Sequence, residues 1–271
     1  MISIGKTTHI RRLQNPVSGR ILTVALDHAP SYGVLAGLEN IVSALQKVVA
    51  GKPDAILLMR GPAQLVYEPY AGRIPLILKT STLSPFHPNR DVWVTEVETA
   101  LRLGADGVGM ALTVGSEEQA GLIANLSSLV REAERVGLPV IVHAYPNGPL
   151  VPPDQVHSAK QVCYAARLGM ELGVDIVKTF YTGSAESFAQ VVQAAAPALV
   201  VAAGGPRLDT DEDVLNMAEG VVKAGAAGIT FGRNVWQSAD PSAMIQALAR
   251  VLHHGDSAAA AKRYLPQLEH A

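Results

Sequence analysis

One lysine in this chain lies in the middle of an apolar run. The stretch Asp175-Ile-Val-Lys-Thr-Phe-Tyr-Thr-Gly-Ser184 sets β-branched and aromatic residues between Gly173 and Gly183, the signature of a short buried strand. A strand flanked by helices is covered on both faces, so Lys178 is kept from water. Burial disfavours the ammonium and leaves an amine able to attack a carbonyl. A buried lysine paired with a carboxylate and serving only structure is the alternative on this strand alone.

The elements that position Lys178 recur along the chain. Strands are expected at Ile21–His28, 54–59, Pro75–Ser81, Gly107–Thr113, 139–146, 175–183, 198–205 and 228–233, with helical spacing between them. A helix is expected around 92–103, and Ser116-Glu-Glu-Gln119 reads as a capping box opening a helix to Val136. Gly104, Gly173 and Gly225 each stop a helix just before a strand, as the tight joint of a repeated β/α unit does. Eight strands alternating with helices over about 250 residues specify a single-domain (β/α)8 TIM barrel. A doubly wound open sheet is the runner-up, but no G-x-G-x-x-G follows the first strand. Residues 1–20 read as a lead-in to one domain spanning 1–271.

In such a barrel the chemistry gathers where strands end. Those ends carry Asp27, His28, Lys79, Tyr145, Lys178, Gly204, Gly205, Gly232 and Arg233. Alternation along a strand pairs Tyr145 with His143 on one face and leaves His28 on the rim. Gly204-Gly205 and Gly232-Arg233 occupy the places after strands seven and eight where barrels bind phosphate. Glycines let N–H groups approach its oxygens, and the arginine fork matches its geometry. Tyr181-Thr-Gly-Ser184 would add donors there. Lys79 is a competing amine, ranked second as a charge partner for Asp27 or a substrate contact. His143, one layer below Tyr145, reads either as a neutral core histidine bonded to a neighbour or as a group that shapes the pocket. A positive charge developing beside Tyr145 would lower its pKa and let it carry a proton.

Composition excludes other classes. A net charge of −2 over 271 residues gives no electrostatic footprint for nucleic acid. No apolar run approaches the roughly 20 residues that cross a bilayer. One cysteine, Cys163, allows no internal disulfide, and the N-terminus shows no signal-peptide pattern, so a cytoplasmic protein is expected. His9, His87, His157, His253 and His254 read as surface residues without metal-ligand spacing, and no metal is expected.

Five blocks together carry a resemblance: Leu26-Asp-His28, Ala144-Tyr-Pro-Asn-Gly148, Asp175-Ile-Val-Lys-Thr179, Ala203-Gly-Gly-Pro206 and Gly232-Arg-Asn-Val-Trp-Gln237. Over roughly residues 20–255 the chain resembles the DhnA-type class I aldolases. That family includes archaeal-type fructose-bisphosphate aldolases, aminodideoxyheptulosonate synthases and an autoinducer-2 phosphate thiolase. The resemblance implies Lys178 as the Schiff-base lysine, with Asp27 and Tyr145 as acid/base partners. Gly204, Gly205, Gly232 and Arg233 would hold the phosphate of a keto-sugar substrate, with Ser184, His143, Lys79 and His28 as further contacts. It also implies a homo-oligomer, in many members a decamer, and no cofactor beyond the lysine imine. Two positions depart from the family pattern: Asn147 stands where Tyr-Pro-Arg-Gly is common, and His143 where the bisphosphate aldolases often have tryptophan. The expected activity is therefore aldol cleavage or formation in a phosphorylated keto-sugar, with a transaldolase-like synthase or a thiolase as alternatives. A non-catalytic sugar-phosphate-binding barrel is the remote one.

Overall fold

A computed structural model describes residues 3–266. Eight parallel strands close into a barrel: β1 (Ile21–Ala25), β2 (Ala55–Met59), β3 (Leu76–Lys79), β6 (Gly107–Thr113), β7 (Val140–Tyr145), β8 (Ile176–Phe180), β9 (Leu199–Ala203) and β10 (Gly228–Phe231). The remaining two strands, β4 (Ser81–Ser84) and β5 (His87–Trp93), form an antiparallel hairpin inserted after β3. A helix follows each barrel strand, as the expected (β/α)8 fold requires. The joints at Gly173 and Gly225 adopt positive φ, 87° and 76°, which glycine tolerates without strain.

Alternation divides each strand between two apolar layers. Val142, Val177, Val200 and Ile229 face the surrounding helices. Ile21, Leu57, Ile77, Ile141, Ile176 and Val201 fill the lower barrel interior. One residue pair further along the same faces stand Thr23, Lys79, Gly109, His143, Lys178 and Thr230. The inner face thus changes from aliphatic to polar as it approaches the C-terminal ends of the strands.

The lead-in has structure of its own, and three expectations are corrected. Residues 1–20 contain a helix, Ile4–Leu13, whose fully buried Leu13 packs into the lower interior and stops the bottom of the barrel. The first strand ends at Ala25, two residues before Asp27. The third ends at Lys79, and the hairpin takes part of the stretch read as helix, leaving Val97–Arg102 helical. Pro88 and Asn89 hid that strand, because both are poor strand residues. Finally, the helix at 119–136 begins without the reciprocal box. Ser116 Oγ instead accepts from Glu118 N (3.1 Å) and donates to the Asn89 carbonyl (2.9 Å), tying the hairpin down.

The bottom of the barrel is also pinned electrostatically. Lys6 Nζ lies 3.1 Å from Asp175 Oδ1, both side chains being nearly buried. The other Asp175 oxygen accepts from Val140 N at 2.8 Å. One carboxylate thereby joins the N-terminal helix to the starts of β7 and β8. His9 and Arg12 both reach buried Asp106 at 3.1 Å, and His253, expected on the surface, is nearly buried with its Nε2 3.2 Å from Asp54. Replacing one partner leaves the other charge buried without compensation, so Lys6→Met should lower stability by about 3 kcal/mol. Urea denaturation checks this, and a loss below about 0.5 kcal/mol would show the pair to be solvated.

Candidate active site

Lys178 projects inward from β8, in register with His143 of β7 and Val201 of β9, and is 6% exposed. Above it opens a small pocket of about 80 Å³ lined by His28, Tyr32, Tyr145, Asn147, Phe180, Gly204, Gly205, Thr230, Gly232 and Arg233 as well as Lys178. A larger open cleft near Arg207 and Lys262 is separate from it, and those charges are already paired with Asp211 and Glu212.

Charges around the lysine decide its state. Burial lowers its pKa to about 8; Asp27 opposes the shift, while Lys79 and Arg233 add to it. Burial works against ionisation of Asp27 too, but protonated His28 and the ammonium groups of Lys178 and Lys79 outweigh it, and the carboxyl titrates below its usual range. Burial drives His28 down to about 4 despite Asp27. His28 is therefore neutral at physiological pH, and the two lysines are the charges that keep Asp27 ionised there. His143 is pushed well below its ordinary value by burial and then by Lys178 and Lys79, so it too is neutral. Its Nε2 is buried without a hydrogen-bond partner, in contrast to the bonded core histidine considered from sequence.

Tyr145 is protonated before any charge develops beside it. Burial, with Tyr32 and Asp27, raises its pKa well above 10, and Arg233 only partly opposes this. The free protein holds a neutral phenol poised to donate, rather than one biased toward phenolate. Its ring stacks on Phe180 with centroids 4.5 Å apart and planes inclined by 20°, while His143 meets it edge-on at 6.3 Å.

The ends of β9 and β10 are locked together by Asn234, which is fully buried. Its Nδ2 donates to the carbonyls of Gly204 (2.7 Å) and Pro206 (3.1 Å), and its Oδ1 accepts from Leu208 N (2.8 Å). Gly205 takes positive φ (68°), turning the backbone in the loop after β9. Arg233 opens the short helix Arg233–Trp236, with Nε buried and unpartnered and its guanidinium 5.2 Å from the Tyr32 ring centroid. A Cβ at Gly232 would overlap the His28 ring. That ring also meets Trp236 edge-on at 5.3 Å, and Trp236 Nε1 donates to the Ala25 carbonyl at 3.0 Å.

The structure thus brings Lys178, Tyr145, His28, Gly204, Gly205, Gly232 and Arg233 to one pocket, with buried Lys79 and His143 and a partly exposed Asp27 beside it. His28 is not a rim residue: beyond Ala25 the strand alternation no longer applies, and the ring turns in against Gly232. Lys79 lies below the pocket, its Nζ donating to Ser81 O (2.7 Å) and Ser81 Oγ (3.1 Å). Ser184 is not brought in. It caps the helix Ala185–Ala195, accepting from Ser187 N, and its hydroxyl donates to Ser187 Oγ. Tyr32, Phe180 and Asn234 were missed. Phe180 was legible as the next inward residue after Lys178; Tyr32 lies in a loop where periodicity gives no direction. Among the described residues no group of three or more His, Cys, Asp or Glu converges as a metal site, and no helix is long and apolar enough to cross a membrane.

Residues 21–238 match the model of the DeoC/LacD family of aldolases. The chain is 36% identical over 255 residues to a 2-amino-3,7-dideoxy-D-threo-hept-6-ulosonate synthase of Halobacterium salinarum, covering 93% of each. It is 35% identical to a class 1 fructose-bisphosphate aldolase of Thermoproteus tenax, covering 88% of this chain and 91% of that one. Among solved structures, an archaeal fructose-1,6-bisphosphate aldolase with its catalytic lysine covalently bound to the carbinolamine intermediate superposes with a TM-score of 0.83. It shares 33% identity, with 92% of this chain and 99% of that one covered.

The charge arrangement predicts signs. Lys178 should react with an amine-selective reagent at a rate that rises with pH and levels off above about 8, because the neutral amine dominates there. Lys79→Met removes a cation that disfavours the ammonium and should move the midpoint up. Asp27→Asn removes the carboxylate that favours it and should move the midpoint down. Labelling profiles read by peptide mass spectrometry measure both, and shifts of the opposite sign would contradict the arrangement.

Proposed function

We propose that this chain, which belongs to the DeoC/LacD aldolase family, makes or breaks a carbon–carbon bond in a phosphorylated keto-sugar through an imine on Lys178. The observation that carries the reading is a buried, inward lysine with its pKa near 8. It sits beneath a pocket whose far wall is the glycine ends of β9 and β10 with Arg233.

In this reading the Lys178 amine attacks the ketone carbon, and the carbonyl oxygen leaves as water after taking two protons. The resulting iminium accepts the electron pair released when the bond between its α and β carbons breaks, giving an enamine. The β-hydroxyl gives its proton to Tyr145, left as phenolate by the dehydration, and that fragment departs as an aldehyde. Protonation of the enamine carbon and hydrolysis then free the lysine. Tyr145 starts as a neutral phenol and supplies and retrieves protons beside the reacting carbons. Asp27, ionised and acting on the Lys178 charge, stabilises the iminium as it forms. The backbone at Gly204, Gly205 and Gly232, with Arg233, holds the phosphate. Lys79 and His28 tune charge, while His143 lines the base. The iminium is the electron sink, so the proposal includes independence from metal ions and other cofactors.

Condensation of the kind named for the heptulosonate synthases is the second reading. Asn147 favours it: Arg233 is the one guanidinium on the pocket wall among the described residues, and the neutral amide offers no second fixed charge for a bisphosphate. Incubation with fructose 1,6-bisphosphate and with ketose monophosphates plus short aldehydes separates the two by the products formed. No carbon–carbon bond change with any of them would count against both readings.

Arg233→Ala removes a charge-assisted fork worth roughly 1.5–3 kcal/mol, so apparent affinity for phosphorylated substrates should fall about 10- to 100-fold. Affinity for unphosphorylated analogues should change little. Equal losses for both would mean that Arg233 supports the fold. Exhaustive chelation should leave turnover unchanged, and a loss restored by a divalent ion would overturn the metal-independent step.

A further inference from the structure

The Tyr145 hydroxyl must stay free for substrate if it is to move protons, so its ring has to be held by its faces and edges. One face is covered by Phe180 at 4.5 Å with planes inclined by only 20°. The Phe180 ring is in turn met by His157, 4.7 Å away and tilted by 42°. Phe180 lies two residues beyond Lys178 on the same inward face of β8, and Tyr145 ends β7 beside it. A rigid strand therefore carries both the nucleophile and the ring against which the proton carrier rests. A flat ring at this separation limits rotation of the phenol about χ1 and χ2, as offset-stacked aromatic pairs do. From this we infer that Phe180 is a positioning residue: it holds the Tyr145 hydroxyl toward the substrate carbon bonded to the Lys178 imine, with His157 backing the stack from the loop after β7.

The inference rests on the aldolase reading and deepens it. Its test uses dihydroxyacetone phosphate, a small phosphorylated ketone that needs no aldehyde partner. Once the imine forms, Tyr145, whose phenol proton has gone to the departing water, takes a proton from the hydroxyl-bearing carbon next to the imine. The electron pair of that bond enters the enamine, and deuterium returns from heavy water, which NMR follows. Phe180→Met keeps the bulk and loses the flat face, and should slow saturated exchange about 10- to 100-fold, the cost of misplacing a catalytic group by an ångström or less. The half-saturating concentration should stay within about threefold, since the phosphate and lysine contacts are untouched. Phe180→Tyr keeps the ring and should stay near the wild-type rate. In a Tyr145→Phe background, already slowed, Phe180→Met should cost almost nothing more, because its effect passes through the phenol. Thermal unfolding of each variant separates a folding loss from a positional one.

An equal loss from Phe180→Met in both backgrounds, or a raised half-saturation at unchanged rate, would overturn the positioning role while leaving the aldolase reading in place. Wild-type exchange that Tyr145→Phe does not slow would remove the tyrosine from the mechanism and Phe180 with it. No exchange by the wild type would instead count against the aldolase reading itself.

Discussion

Confinement of the Lys178 ammonium inside a closed barrel is the constraint on which the rest of this structure depends. An isolated buried charge costs several kcal/mol, so the group must either be paired or give up its proton. Here it does some of each. Asp27 favours the ammonium, whereas burial, Lys79 and Arg233 favour the amine, and the outcome is a pKa near 8. Such a group is charged often enough to be tolerated and neutral often enough to attack a carbonyl. Each of the two added cations has a neighbour of its own. Lys79 is held by two oxygens of Ser81, and Arg233 lies against the Tyr32 ring at the solvent-facing mouth.

The barrel makes that balance possible by keeping its two ends distinct. Aliphatic layers and the plug of Leu13 exclude water from below. Paired carboxylates fix where the strands begin, Asp175 serving β7 and β8 together. The register set at the bottom is carried three residues upward to His143 and Lys178. At the top, Asn234 and Trp236 bind the loop after β9 and the end of β1 to the end of β10. The glycines proposed to hold phosphate are thus parts of a rigid rim, although they carry no side chains of their own.

Much of this was legible in the amino-acid sequence, for identifiable reasons. A lysine flanked by Ile176, Val177, Thr179 and Phe180 has no solvent-facing explanation, and glycine stops at Gly173 and Gly225 repeat the β/α joint. Alternation placed His143 and Tyr145 on one face correctly. It failed at His28, because a rule for strands does not extend past Ala25. The β4–β5 hairpin was hidden by Pro88 and Asn89, and the helix Ile4–Leu13 by its polar, basic exposed face. The raised pKa of Tyr145 in the free protein was beyond reach, because desolvation of a phenol depends on what surrounds it, and Tyr32 and Asp27 come from a separate segment.

The central claim is that Lys178, rather than the equally buried Lys79, becomes bonded to the substrate. Borohydride added to the protein with dihydroxyacetone phosphate reduces an imine to a stable secondary amine, and peptide mass spectrometry locates it. The account predicts one adduct per chain, on the peptide carrying Lys178, and none after Lys178→Met. An adduct on Lys79, or none across a panel of ketones that the protein turns over, would contradict it.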